Sequence, residues 1–521
     1  MAFNLFGRIK PLDAILATAE KKALTRTLGP VQLTLLGVGA VIGTGIFVLT
    51  SEAAQKAGPG MMWSFVIAGL VCAVAALCYS ELASMVPVSG SAYTYTYAVM
   101  GELLAWMVGW ALILEYAVAA SAVSVGWSGY FVGLLANAGI DLPRALTIGS
   151  YAPGGLINLP ALIIALLVTF LLMIGTSESA KVNAVLVAIK VTALTIFIVL
   201  TLPMMKGQNF DPFMPNGWFG ESRGFGAVGA AASIFFAYVG FDAVSTAAEE
   251  TKNPQRNVPI GLIGSLAICT VFYLLVAAGA IGTVGAQPIV DAAGATLAPG
   301  STEFAAQCQA LLSAGREPLV CSHEALAFVL RTIGHPAFGN MIGIAAFLAL
   351  PSVILIMLFG QTRIFFVMAR DGLLPEKLAT IHPKWKTPHI VTAITGVAVS
   401  VFAAFLPVGQ LADISNSGTL FAFLMVAVAV LILRRTDPGR HRPFRTPLVW
   451  IVAPLAIVGC LGLFYNLPYE AKMVLPIWGG IGLLLYFAYG YRKSHVGRGH
   501  IEVHESDADA PPQPVPPISD Q

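Results

Sequence analysis

Charge is what this 521-residue chain has least of. Aspartate, glutamate, lysine and arginine make up 11% of it, under half of the roughly 25% usual in soluble domains. No surface facing water all round can be built from so little, and no soluble domain is evident. The net charge of +2 gives no reason to expect a nucleic-acid partner. The six cysteines show no CxxC and no His/Cys spacing, so neither a metal nor any other cofactor is expected. Ser–His–Asp and P-loop patterns are also missing, and the eight histidines are scattered through loops and tail. An enzyme is therefore not expected. The leading residues, MAFNLFGRIKPLDAILATAEKKALTRTLG, carry basic residues throughout and no clean apolar core followed by small residues. They read as a cytoplasmic leader, partly amphipathic, and not as a signal peptide.

What the chain has instead is long apolar runs. Hydrophobic residues make up 57% and mean hydropathy is +0.79. Runs of roughly 18 or more residues with almost no charge read as transmembrane helices. Spans fall near 31–50, 61–85, 98–134, 156–176, 182–203, 226–248, 259–284, 336–369, 389–408, 413–433, 448–467 and 474–491. The expected fold is thus an all-α integral membrane protein of about twelve helices. With the N-terminus inside, twenty lysines and arginines fall in inside segments and seven outside (Lys56, Arg144, Lys206, Arg223, Arg316, Arg331 and Lys472). That bias supports an even number of spans with both termini cytoplasmic, in a cell or inner membrane. The expected divisions are a cytoplasmic segment 1–29, a ten-helix core 30–433, a basic cytoplasmic loop 434–447, two further helices in 448–491, and an acidic, proline-rich tail 492–521 expected to be disordered. Cys72, Cys78, Cys269 and Cys460 lie in apolar spans as plain core residues. Cys308 and Cys321 share the long outer loop 285–335, where a disulfide and two free thiols are both open.

One span looks unsuited to lipid. Residues 37–47 read GVGAVIGTGIF, with four glycines and a threonine. Glycine weakens a helix by roughly 1 kcal/mol relative to alanine. The sixth span is interrupted in a related way, SIFFAYVGFDAVSTAAEE over 233–250, with Gly240 in mid-span and Asp242 two residues on. Five helices followed by five more with a break in the same place form an inverted repeat, with a substrate site where the broken helices meet. Unwound backbone is tolerated at bilayer depth only where it lines a protein cavity. Its N–H groups at a half-helix N-terminus bind an anion such as a carboxylate, and its carbonyls accept from an ammonium group. A site offering both matches an α-amino acid zwitterion. Glycines in membrane helices also serve close packing, and GAVIG fits the small-xxx-small spacing; the matching interruption in the sixth span favours a site.

These residues carry a resemblance. GVGAVIGTGIF, YSELASMVPVSGSAYTYTY (79–97), FFAYVGFDAVSTAAEETKNPQRNVPIG (235–261) and GQTRIFFVMARDGLLP (360–375) resemble the amino acid–polyamine–organocation superfamily, and within it bacterial members of the cationic amino acid transporter family. The likeness extends over roughly residues 28–490. It implies two inverted five-helix repeats with discontinuous helices 1 and 6, two additional C-terminal helices, and secondary active transport by alternating access. It also implies that the substrate carboxylate rests on amides of Gly43, Thr44 and Gly45. The amine would rest on carbonyls of Val41, Phe236, Ala237 and Val239, with the Phe236 ring closing over the ligand.

Glu115, Lys190 and Asp242 lie within predicted spans, where a charge costs at least ~2.5–3.5 kcal/mol on insertion scales. They would either neutralise one another structurally or carry protons. In the resembling family, proton-coupled members place a fifth-helix lysine where sodium-coupled members bind their cation, and Lys190 in VAIKVTALTIF fits. Lys190 is the expected coupling residue, bracing the first helix, with Glu115 and Asp242 as candidate relays. Glu81, Glu249 and Glu250 near cytoplasmic helix ends, with Arg256, Arg363 and Arg370 on the same side, form a candidate inner gate or ordinary snorkelling charge.

The expected function is proton-coupled symport of L-amino acids, with small neutral side chains favoured, since arginine or lysine in a dry pocket needs a partner for its distal charge. Aligning the eighth span's GQTR end with cationic-selective relatives puts Leu350 where those have a smaller residue, although Pro351 departs from their pattern. Arginine or lysine uptake and amino acid exchange are the alternatives; a polyamine carrier or a channel is more distant. The expected partners are the amino acid, protons and membrane lipid. An accessory subunit is not legible.

Overall fold

The computed structural model describes residues 8–12, 15, 28–87, 91–175, 180–248, 251–385 and 387–499. Its regular elements are helices. In chain order they are α1 Pro30–Val41, α2 Thr44–Phe47, α3 Leu49–Ala57, α4 Met61–Met85, α5 Ser91–Met100, α6 Glu102–Asn137, α7 Leu159–Met173, α8 Ala180–Thr201, α9 Gly226–Ile234 and α10 Ala243–Thr246. Then follow α11 Pro254–Val284, α12 Thr302–Ser313, α13 Ala325–Thr332, α14 Pro336–Arg370, α15 His389–Phe405, α16 Val408–Thr436, α17 Val449–Asn466, α18 Tyr469–Leu485 and α19 Tyr491–Lys493. Among the described residues, eight helices are long and apolar enough to cross a membrane, one of them running through α3 and α4 as Leu49–Met85. Four shorter apolar helices accompany them, Pro30–Val41, Leu159–Met173, Gly226–Tyr238 and His389–Phe405.

Local chemistry sets the boundaries. The Gly58–Gly60 turn, with Pro59, links α3 to α4. Asn158 caps α7 by accepting from the Ala161 amide at 3.1 Å, with Pro160 at the start of the helix. Gly101, at φ +94°, separates α5 from α6. The third span, expected from residue 98, therefore begins at Glu102, and residues 98–100 end a separate helix in SAYTYTYAVM. The long loop 285–335, expected on the outer side, also has structure of its own. Ser301 caps α12 through the Phe304 amide, and residues 325–330 of α13 are buried. Cys308 and Cys321 are joined there as a disulfide.

The 36-residue α6 is the central post. It packs on α14, α16, α15, α7 and α5. The broken first span lies between α11 and α8, and α9 lies against α4 and α3. α17 and α18 flank this core on α16. Residues 492–499, expected to open a disordered tail, instead fold back. Ser494 is fully buried and donates to Glu102, and the His495 amide donates to the Asp371 carbonyl. The remainder of the tail lies outside the described residues.

Candidate functional site

Both interrupted spans unwind where the glycines stand. α1 ends at Val41, Ile42 is extended, and Gly43 (φ −145°, ψ −148°) leads into the single turn α2. α9 tightens into a 3-10 turn over Phe235–Tyr238, Val239 is extended, and Gly240 takes φ +110° before Asp242 starts α10. The left-handed φ at Gly240 is one that a side chain rarely allows. The two breaks touch. A Cβ on Gly45 would lie 2.3 Å from Cα of Ala237, and one on Gly240 would lie 3.1 Å from the carbonyl of Ala40. Gly45 therefore lacks a side chain so that the two backbones can meet. Gly43 is different, since a Cβ there would reach only the Val353 methyls, at 3.5 Å.

Polar groups around the breaks come from four other helices. Tyr273 of α11 places its hydroxyl 2.8 Å from both the Val41 and the Ala237 carbonyl. Lys190 of α8 donates to Gly39 O at 2.8 Å, two residues before Val41. Tyr130 of α6 donates to Phe47 O at 2.7 Å, and Asn416 of α16 donates to the carbonyls of Ala232 and Ser233. These donors serve carbonyls that unwinding would leave bare, Tyr273 one of its two at a time. The amides of Thr44 and Gly45 open a new helical turn and have no acceptor within it. Beside them the Thr44 hydroxyl is buried and has no hydrogen-bond partner among the described residues. It faces α6 at Gly126, where a Cβ would come within 2.9 Å of it.

The other expected site residues are placed as follows. The Phe236 carbonyl accepts from the Val239 amide inside the 3-10 turn, and Phe236 and Val239 are both buried. Leu350 is fully buried on α14. The residue that reaches the first break is Val353, one turn later on the same face. Glu115 is fully buried on α6 beside Gly418 of α16, and neither carboxylate oxygen has a hydrogen-bond partner among the described residues. Its neighbour Tyr116 donates to Asp242 at 3.2 Å. Lys190 thus reaches the first break, Glu115 lies beside α16, and Asp242 meets the Tyr116 hydroxyl.

Layers of ion pairs lie above and below. Glu81, expected opposite Arg256, Arg363 or Arg370, is instead taken by Arg434 in a two-point contact at 2.7 and 2.8 Å. Arg442 approaches it at 3.2 Å, and the Thr446 amide donates to it. A buried carboxylate gains most from a bidentate guanidinium, and Arg434 reaches it from the end of α16. Arg363 instead lies over the Phe359 ring. Glu249 and Glu250 lie outside the described residues. On the same side, Arg8 pairs with Glu102 at 3.0 Å and Lys10 with Asp371 at 2.9 Å, strapping the leading segment across the ends of α6 and α14. Burial raises the Asp371 pKa, but Lys10, Arg370 and the Tyr93 hydroxyl outweigh it and hold the carboxyl below its ordinary range. At the other end Lys56, expected in a loop, is buried at the end of α3. It donates to Ser233 at 2.6 Å and to Asp413 at 3.0 Å, tying α3, α9 and α16 together.

Tyr273, Val353, Tyr130 and Asn416 were not singled out from the sequence. A tyrosine within FYLLVAAGAIG was the one available signal, because a buried phenol needs a partner.

A family model described as amino acid permease matches residues 28–485. The chain is 43% identical over 501 residues to the branched-chain amino acid permease BcaP of Bacillus subtilis, spanning 96% of this chain and 100% of that protein. It is 41% identical over 490 residues to the methylthioribose transporter of the same organism, spanning 94% and 98%. It is 35% identical over 444 residues to the vacuolar cationic amino acid transporter 4 of Arabidopsis thaliana, spanning 84% and 68%.

Proposed function

Because this chain belongs to the amino acid permease family, a family of multi-pass membrane transporters and not of enzymes, we propose that it is a proton-coupled symporter of small neutral L-amino acids. It works by alternating access in a cell or inner membrane, with both termini cytoplasmic. Its twelve spans form two inverted five-helix repeats followed by two further helices, α17 and α18. The observation that carries the reading is the contact of the two breaks, with the orphan Thr44 hydroxyl beside unspent amides. The carboxylate binds at Gly43, Thr44 and the amide of Gly45. The amine binds near Val41, Ala237, Phe236 and Val239, where Tyr273 already holds two of the carbonyls. Phe236 closes the pocket, and Val353 and Leu350 bound its side-chain end. Lys190 couples the proton to the first break through Gly39, and Glu115 and Asp242 relay it.

A neutral substrate is supported by the acids at depth, since Asp242 is already bound by Tyr116 and a distal cation would have to claim Glu115. The 43% identical branched-chain permease agrees with a neutral side chain. A second reading is favoured by the 41% identical methylthioribose transporter, whose substrate has neither an α-amine nor a carboxylate. Uptake into proteoliposomes with and without a pH gradient, under competition by alanine, serine, leucine, arginine, lysine and methylthioribose, separates these readings. Competition by alanine, serine and leucine with gradient dependence is expected. Competition by arginine alone, or by methylthioribose alone, overturns the proposal. Leu350→Ser should enlarge the pocket and add arginine competition.

A further inference from the structure

α17 and α18 are joined only by Leu467 and Pro468, yet each packs on α16 and they scarcely touch each other. Between them runs an apolar cleft of about 1020 Å³, at the upper end of the ~300–1,000 Å³ of small-molecule pockets. Trp110 of α6 and Phe421 of α16 form its floor, and Leu461 and Leu483 stand on opposite walls. Gly462 and Gly480 also line it, and a Cβ on either would meet nothing within 4 Å. These glycines do not serve close helix packing; they leave the gap open.

One end of the cleft is cationic. Arg223 donates to the Tyr465 hydroxyl at 2.7 Å and lies 4.3 Å from the ring centroid. Lys472 donates to the Tyr465 carbonyl at 2.8 Å and lies 5.3 Å from the same ring. Lys472 is only 6% exposed. Glu221 and Glu470 are close in sequence, yet neither cation has a carboxylate within 4 Å among the described residues. An ammonium brings three donors, and a buried one without a counter-charge is costly. The rings of Tyr465 and Tyr469, which line this end, are exposed, as aromatic residues are at headgroup level. By the lysine and arginine bias it is the outer side, which is otherwise poor in cations.

A soluble anion would have no use for the apolar length, and a bare hydrocarbon would have no use for the two cations. We propose that the α17–α18 cleft binds one anionic phospholipid of the outer leaflet, its phosphate on Arg223 and Lys472 and an acyl chain along Gly462 and Gly480. The site is separate from the helix breaks and does not depend on the substrate reading.

The test is native mass spectrometry of the full-length chain after mild delipidation, with phosphatidylglycerol or phosphatidylcholine added at equal concentration. One tightly retained phosphatidylglycerol is expected, with phosphatidylcholine lost. Arg223→Gln, at an exposed residue, should lower retention about tenfold and leave the melting temperature of the lipid-free protein unchanged. Gly480→Leu should fill the cleft and lower retention with both cations intact. Lys472→Gln adds a third variant, but the first two decide if it fails to fold. Equal retention of both lipids, or unchanged retention in Arg223→Gln and Gly480→Leu, overturns the proposal. So does a dimer that Gly480→Leu dissociates, which would make the cleft a protein interface.

Discussion

The two broken spans occupy matching places in the chain but are broken by different means and carry different chemistry. The first is interrupted around Gly43 by extended backbone and ends in a turn whose amides and Thr44 hydroxyl are unspent. The sixth is interrupted by a 3-10 turn and the left-handed Gly240, and carries an acid, Asp242, already bound by Tyr116. Carbonyls of both are held by side chains from neighbouring helices. On the proposed inverted repeat, the position of a break is duplicated without its polarity. The first offers donors to an anion, and the sixth offers backbone to pack against and a titratable group.

The largest test of that division is Lys190→Ala. It removes the cation from Gly39 O, and pH-gradient-driven uptake into proteoliposomes should vanish. Uptake that kept its wild-type dependence on the gradient would remove Lys190 from the coupling role. Next come two glycines two residues apart. Gly45→Val forces carbon into the Ala237 backbone; overpacking of this kind costs ~1–3 kcal/mol or more, so melting temperature and transport should both fall. Gly43→Ala meets only the Val353 methyls at an ordinary distance. It should keep the wild-type melting temperature and weaken substrate binding, measured by ligand-induced thermal shift. Unchanged binding in Gly43→Ala would move the ligand away from the first break.

Tyr273→Phe deletes the hydroxyl shared by both breaks. Loss of a buried partner costs ~1–3 kcal/mol, so a lower melting temperature and weaker binding are expected together. An unaltered Tm would show that the two carbonyls find other donors. The smallest effect concerns the strap. Asp371 has a depressed pKa in the fold. Its contribution is therefore complete above the unfolded carboxylate value of ~4 and is lost as pH falls through the lower folded value. Limited proteolysis of the leading segment should show it held at neutral pH and freed only in acid. Lys10→Gln should move that release to a higher pH.

Much of this was legible from residues alone, and the exceptions have a common cause. Apolar runs placed most helix bounds within a few residues, and the glycines marked both breaks. The contact of Gly45 with the Ala237 backbone was not legible, because a missing side chain looks the same whether a substrate or another backbone fills its place. Tyr273 was not singled out because its two acceptors lie 36 and 232 residues away. The partners of Glu81 escaped for the same reason, with Arg434 353 residues distant. Lys56 read as a loop residue because its acceptor Asp413 sits on a helix more than 350 residues on. The α17–α18 cleft has no signature at all, since it arises from how two helices diverge, and a glycine facing empty space is spelled like one facing a neighbour.

The Tyr273 hydroxyl also sets a count. A phenol owns one hydrogen, and here two oxygens stand equally near it, at 2.8 Å each. Whichever carbonyl receives the hydrogen, the other faces a lone pair, so the hydroxyl leaves one of the two carbonyls without its donor. On the proposed reading, an arriving α-ammonium supplies that missing hydrogen. The empty carrier and the loaded one then differ in hydrogen inventory before either has moved, and a deuterium isotope effect on binding, lost in Tyr273→Phe, would be its trace.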